Sequence, residues 1–135
     1  MFSILYSSDA AYPLGEVEIN HILDKARARN IEAGVTGILL HKNGHFLQYI
    51  EGAELELARI FQIIQENKQH NNLKVIFYRP VSQRLFPEWS MAYQSKELEV
   101  YSDEEVYFSL LYPALNTNEG DASKVSEALN QFWQG

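Results

Sequence analysis

From Phe2 to Ser7 apolar and polar positions alternate among residues that favour extended backbone, which predicts a first strand. Ala10 to Gly15, interrupted by Pro13, reads as a loop. The period then changes. Ile19, Ile22, Leu23 and Ala26 fall at i, i+3, i+4 and i+7, one face of a helix that begins at Glu16 and ends near Arg29 or Asn30, with Gly34 marking the exit. Val35 to His41 forms a second strand and His45 to Glu51 a third, and Asn43-Gly44 between them is the dipeptide that closes a tight antiparallel hairpin. Leu55, Leu57, Ala58, Ile60, Phe61 and Ile64 lie on a second helix, Glu54 to Asn67, whose apolar stripe is broad enough to pack on a sheet and on something else. Lys74 to Pro80 and Trp89 to Gln94 supply a fourth and a fifth strand, with Pro80 and Pro87 punctuating the loop between them.

The order β-α-β-β-α-β-β predicts an α+β fold of ferredoxin-like plan, a mostly antiparallel sheet with two helices on one face. Two short C-terminal helices follow, Glu104 to Leu111 and Ala122 to Trp133, N-capped by Ser102-Asp103 and by Asp121. Residues 1–97 thus read as one domain and 98–135 as a helical extension. The extension carries Val106, Phe108, Leu110, Leu111, Phe132 and Trp133, which must be buried against the free face of the sheet or against a partner.

Strand parity isolates two polar residues. Side chains two apart on a strand share a face, so Ile4 goes with Tyr6, Phe46 with Gln48 and Ile50, and Trp89 with Met91 and Tyr93. If these are the helix-covered faces, a tyrosine and a glutamine meet inside an apolar layer. An amide flanked by Phe46 and Ile50 costs a few kcal/mol (roughly 2–7) unless it is paired. Gln48 therefore satisfies a backbone group, or it meets the Tyr6 hydroxyl or the polar edge of a ligand. Asn30 is the other anomaly: it suits a helix end, or its amide, both donor and acceptor, faces an imide-like ring edge.

With 135 residues, 46% of them hydrophobic and 13% aromatic, the chain has material for one core. Its apolar runs are too short to span a bilayer and Met1 to Leu5 lacks a basic leader, so a cytoplasmic protein with no membrane contact is expected. The absence of cysteine removes disulfides, thiolate catalysis and Cys-ligated metals. A net charge of −7 argues against nucleic acid as partner. Lys25, Arg27 and Arg29 form a local basic cluster, read either as a helix C-terminus favoured by the macrodipole or as a cationic rim for a phosphate-bearing ligand.

Taken in order, several blocks resemble the BLUF family of flavin-based blue-light sensors. They are Leu5-Tyr6-Ser7-Ser8, Ala26-Arg27-Ala28-Arg29-Asn30, Gly34 to Leu40, Gly44 to Gly52 and Arg84 to Met91, together spanning about residues 2–95. The resemblance implies FAD held non-covalently between the two helices, with Tyr6 as electron and proton donor and Gln48 as the switch beside it. Met91 and Trp89 match the pair that relays the rearrangement of Gln48. Asn30 matches the residue that fixes the C4-carbonyl and N3 edge of the flavin. Ile22 and Phe46 match positions lining the ring, with Ile64 opposite, and Arg29, Asn67 and His70 match positions near its polar edge. Two departures stand out: Ala26 replaces a frequent serine, and Asn67-Lys68-Gln69-His70 replaces a common Asp-x-Arg-His run. Short members of the family tend to form homo-oligomers and to signal to separate proteins, so both are expected.

Two other readings compete. An enzyme on this fold, such as an acyl-phosphate hydrolase, needs an arginine-bearing phosphate loop, and Ser7 to Ala11 has neither glycine nor arginine. Neither a nucleophile elbow nor a helical metal-binding motif is present, and His41 and His45 straddle the hairpin, so no metal site is assigned. A light-insensitive interaction module on the same fold is the second; retention of Tyr6, Asn30, Gln48 and Met91 together speaks against it.

Overall fold

The computed structural model describes residues 1–87, 90–95, 100–101 and 120–134. The chain runs β1 (Phe2–Ala10), α1 (Glu16–Ala33), β2 (Thr36–Lys42), β3 (His45–Gly52), α2 (Glu54–Glu66), β4 (His70–Pro80), β5 (Ala92–Ser95), β6 (Val100–Tyr101) and α3 (Gly120–Gln134). The strands form one sheet in the order β4-β1-β3-β2-β5-β6. β3 is antiparallel to both β1 and β2, β4 is antiparallel to β1, and β5 is parallel to β2. This is the ferredoxin-like plan, because each helix connects two parallel strands across the one between them.

The hairpin forms as its dipeptide dictates. Asn43 (φ 54°) and Gly44 (φ 74°) both take positive φ, the geometry that lets a two-residue turn follow the strand twist. Gly37 answers a different demand. A Cβ there would stand 1.9 Å from the Tyr49 carbonyl oxygen, so only glycine lets β2 lie this close to β3.

Parity holds on both faces. Ile4, Tyr6, Leu39, Phe46 and Ile50 pack under α1 (Ile19, Leu23) and α2 (Leu57, Ile60, Ile64). Leu5, Ile38, Leu40, Leu47 and Tyr49 point the other way and are covered by Val125 and Leu129 of α3, with Phe86 and Phe132 beside them. The C-terminal helix thus covers the free face of the sheet, and Lys42 Nζ fastens it by donating to the Phe132 carbonyl at 3.3 Å.

Several boundaries differ from the sequence reading. α1 continues past Asn30 to Ala33, where Gly34 (φ 69°) ends it in a left-handed cap. The apolar pattern breaks early because Asn30 occupies a buried position and Ile31 is exposed. Lys25, Arg27 and Arg29 therefore lie inside the helix, and its last turn carries no basic residue, which removes the macrodipole reading of that cluster. β4 begins at His70 rather than Lys74, since Asn71 and His70 pair with Asp9 and Ala10 through a register shift that local propensity does not reveal. β5 starts at Ala92, so Met91 precedes the strand instead of sharing a strand face with Tyr93. β6 was not anticipated, and Asp121 lies within α3 rather than capping it. Trp89 and the expected helix Glu104 to Leu111 lie outside the described residues.

Candidate functional site

β1 and β3 pair so that Tyr6 lies directly opposite Gln48, and both side chains project beneath the two helices. The Tyr6 hydroxyl donates to Gln48 Oε1. Gln48 Nε2 in turn donates to Met91 Sδ at 3.3 Å, so a buried chain of three side chains runs from β1 to the residue preceding β5. Gln48 is 5% exposed, Tyr6 3% and Met91 3%, which leaves water little access to any of these bonds. Phe61 of α2 packs on the Tyr6 ring at a centroid distance of 5.7 Å.

This chain forms one wall of a pocket that opens to solvent between the sheet and the two helices. The sheet contributes Tyr6, Ser8, Leu39, Phe46 and Gln48; α1 and the loop before it contribute Leu14, Ile22, Ala26 and Arg29. Ile64 of α2 and the turn Asn67, Gln69 and His70 close the far side, with Met91 at the floor. Apolar surfaces face each other while polar groups gather at the edges. Ala26 offers no hydrogen-bonding group to this space.

Two polar groups at the α1 side lack partners among the described residues. Asn30 is 0% exposed; its Nδ2 donates to the Ser90 carbonyl at 2.7 Å, but its Oδ1 is buried without a donor. Arg29 Nε is likewise buried and unpaired. Such a group costs about 1–3 kcal/mol when left unsatisfied, so the unpaired nitrogen of Arg29, which lines the pocket, argues for an occupant there. Arg27 is engaged elsewhere: its Nε donates to the Met91 carbonyl at 3.1 Å.

Burial pushes the Tyr6 hydroxyl well above its ordinary value near 10, and the Arg29 guanidinium pulls it only partly back. The phenol therefore keeps its proton and remains a donor. Burial also lowers the Arg29 guanidinium, with Tyr6 raising it in return, and the group stays charged. On the α2 side His70 Nε2 meets the Ile64 carbonyl at 2.6 Å. A carbonyl can only accept, so the proton sits on Nε2. The other ring nitrogen, Nδ1, lies 2.8 Å from Ser8 Oγ. Asn67 Oδ1 accepts from the Gln69 backbone N–H at 2.9 Å, fixing the turn that ends α2.

Of the residues singled out in the sequence, Tyr6, Ile22, Arg29, Phe46, Gln48, Ile64, Asn67, His70 and Met91 all line the pocket. Asn30 does not reach the wall; it stands behind it on the Ser90 carbonyl. Ser8, Leu14, Leu39 and Gln69 were not foreseen. Parity could have added Ser8, which shares the face of Tyr6, and Leu39, which pairs with Gln48; Leu14 lies in a loop and carries no periodic signal. Among the described residues no cluster of His, Asp and Glu could hold a metal, and no helix is long and apolar enough to cross a membrane.

Comparison with known proteins gives a consistent picture. The sequence model of the family described as "BLUF: Sensors of blue-light using FAD" matches residues 1–92. The chain is 28% identical over 97 residues to the photoactivated adenylate cyclase subunit beta of Euglena gracilis, a stretch covering 71% of this chain and 11% of that protein. It thus spans about a tenth of the length of the curated relatives it matches. The dark-state structure of BlrB, a BLUF protein, superposes with a TM-score of 0.71 at 26% identity, covering 95% of this chain and 93% of that one. Klebsiella pneumoniae BlrP1, in a manganese and cyclic-diGMP complex, shares the fold with a TM-score of 0.77 at 23% identity over 97% of this chain and 32% of that one.

Proposed function

The chain belongs to the BLUF family of blue-light sensors, and from that premise we propose that it binds FAD non-covalently in the α1–α2 pocket, switches at Tyr6 and Gln48, and signals to a separate protein. The observation that carries this reading is the buried run Tyr6–Gln48–Met91 along the pocket wall. A flavin fits the residues present. Its flat ring suits the apolar surfaces of Ile22, Phe46 and Ile64. Its edge carries carbonyl acceptors for Arg29, which lines the pocket and whose Nε is buried. Arg29 is the cation available to the phosphates.

When bound and excited by blue light, a flavin supplies a strong one-electron oxidant. What the chain contributes is a proton held on the Tyr6 hydroxyl and an amide that can be read in two senses. In the structure Gln48 accepts from Tyr6 through Oε1 and donates to Met91 through Nε2. If the amide turns over, or takes its imidic form, the polarity of both contacts changes. After rotation Nε2 donates to the phenol oxygen, whose own proton loses its Gln48 acceptor, while Met91 Sδ faces an oxygen and loses its donor. The two arrangements thus differ at both ends of the amide, by hydrogen bonds of order 1 kcal/mol each. A bias of that size changes a two-state equilibrium roughly fivefold. Residues 1–97 form the light-sensing part in this reading, and 98–135 the extension that reports its state. The departure at Asn67 removes a carboxylate from the pocket edge without removing hydrogen-bonding capacity.

The test is the absorption spectrum of the purified protein before and after blue light. A flavin band that moves to the red and recovers in darkness is expected, and Tyr6→Phe should abolish the movement while keeping the band. A flavin band insensitive to light in the wild-type protein, or no flavin uptake on reconstitution with FAD, would overturn the reading.

A further inference from the structure

β4 runs for 11 residues along one edge of the sheet, and among the described residues no strand lies beyond it. One side of its backbone pairs with β1; the other presents N–H and C=O groups that a further strand can take. Three of its side chains are large, apolar and exposed: Val75 (46%), Ile76 (53%) and Tyr78 (43%).

The register with β1 sorts the two faces of this strand. Val75 and Tyr78 lie opposite Tyr6 and Ile4 and share the helix-covered face. Lys74, Phe77 and Arg79 lie opposite Ser7, Leu5 and Ser3 and share the other. Ile76 falls at a register shift and joins the second set, since with Phe77 and Arg79 it lines an open groove whose far wall is Lys124, Glu127 and Gln131 of α3. α3 buries Val125 and Leu129 against the middle of this face and leaves the groove open beside β4. The Arg79 guanidinium lies over the Phe77 ring, 3.8 Å from its centroid, along the same groove.

Charge singles out an occupant. Residues 67–87 carry Lys68, Lys74, Arg79 and Arg84 and no Asp or Glu, in a chain whose net charge is −7. Lys74 and Lys124 close no ion pair among the described residues, although Asp9 is near enough to feel the Lys74 charge. Cations on the groove face and apolar side chains on the other are matched by a strand in which acidic and apolar residues alternate. A second copy matches poorly. Two copies of β4 paired antiparallel with Val75 opposite Tyr78 would bring Lys74 opposite Arg79 at both ends.

We propose that the β4 edge is the docking site for an extended segment of a partner protein in which acidic and apolar residues alternate. The segment adds a strand beyond β4, turns its acidic side chains toward Lys74 and Lys124, and lays its apolar ones on Val75 and Tyr78. Such a segment belongs to the separate partner of the photoswitch reading, on which its role in signalling rests.

The test titrates the FAD-loaded full chain, in darkness, with three blocked octapeptides: alternating Val and Glu, alternating Val and Lys, and alternating Gly and Glu. Binding is read from backbone amide resonances and from the hydrogen exchange of Lys74 to Arg79. The Val–Glu peptide is expected to shift these amides and those of Lys124 and Gln131, and to slow exchange of the outward-facing β4 amides about tenfold at saturation. The other two bind about tenfold more weakly, one for its charge and one for its missing apolar face. Lys74→Glu combined with Lys124→Glu, two exposed positions, is expected to reverse the preference toward the Val–Lys peptide. Unchanged β4 amides with the Val–Glu peptide, equal binding of all three peptides, or a double variant that still prefers Val–Glu overturns the proposal. So does β4 protection that grows with protein concentration in the absence of peptide, because the occupant is then a second copy. None of these readings uses light, so they fail independently of the photoswitch, which falls instead if the wild-type spectrum shows no red shift.

Discussion

The two faces of the sheet bury polar groups on opposite terms. On the face beneath α1 and α2, Asn30 Oδ1 and Arg29 Nε have no partners among the described residues, and the Tyr6–Gln48–Met91 chain has an amide at its centre that can take either of two orientations. On the face beneath α3, both oxygens of Glu51 are occupied, by two backbone donors and one hydroxyl. An acceptor whose oxygens are already paired has one arrangement, whereas an amide between a hydroxyl and a thioether has two. In the photoswitch reading proposed above, the first face responds and the second holds position. Arg84, Leu85 and Phe86 are fastened on the Glu51 side, and Ser90 and Met91 on the pocket side.

The largest effect expected is an all-or-none one on the responsive face. Tyr6→Phe removes the only hydroxyl on Gln48 Oε1 among the bonds described; the light-driven spectral shift should vanish while the fold survives at a cost of about 1–3 kcal/mol, measured by denaturant unfolding. Next comes the holding face. Leu129→Ala empties a fully buried position between α3 and the sheet and should cost about 2–5 kcal/mol, seen as a lowered unfolding midpoint with the flavin band intact. If the band were lost as well, the two faces would not be separable.

A smaller change probes their junction. Met91→Ala removes the sulfur that accepts from Gln48 and should leave a red shift that no longer alters proteolysis or exchange of α3; an unchanged α3 response would remove Met91 from the output path. The smallest effect is on pH dependence. Burial raises the Tyr6 hydroxyl in the folded state, so its contribution to stability is fully present below pH 10 and is lost as pH rises through the folded value. Wild type should therefore lose stability above pH 10 more steeply than Tyr6→Phe in parallel denaturant titrations. Equal slopes would mean that the hydroxyl ionises as freely in the folded protein as in the unfolded chain.

Much of this was legible in the chain, for identifiable reasons. Period-2 and period-3.6 patterning located the two helices and the first three strands, since each buries one face and the alternation records which. Asn43-Gly44 announced its turn because few other dipeptides tolerate two positive φ angles. Parity brought Tyr6 and Gln48 together before any coordinates, and they stand as direct register partners. The same logic misjudged Asn30, because a buried polar residue inside a helix is indistinguishable from a helix end until its partner, the Ser90 carbonyl 60 residues away, is known.

What the sequence by itself determined is therefore what one element decides alone: which segments are helix or strand, which residues share a face, and which polar side chains are out of place on an apolar one. The blocks resembling a known family added the expectation that this face holds a flavin. Tertiary structure alone decided the rest. That β4 extends back to His70, that α3 covers the second face, that Met91 reaches Gln48 from outside a strand and that Glu51 closes on Leu85 and Phe86 all depend on contacts between distant segments. Periodicity carries no trace of such contacts, because it records only that a residue is buried and not what buries it.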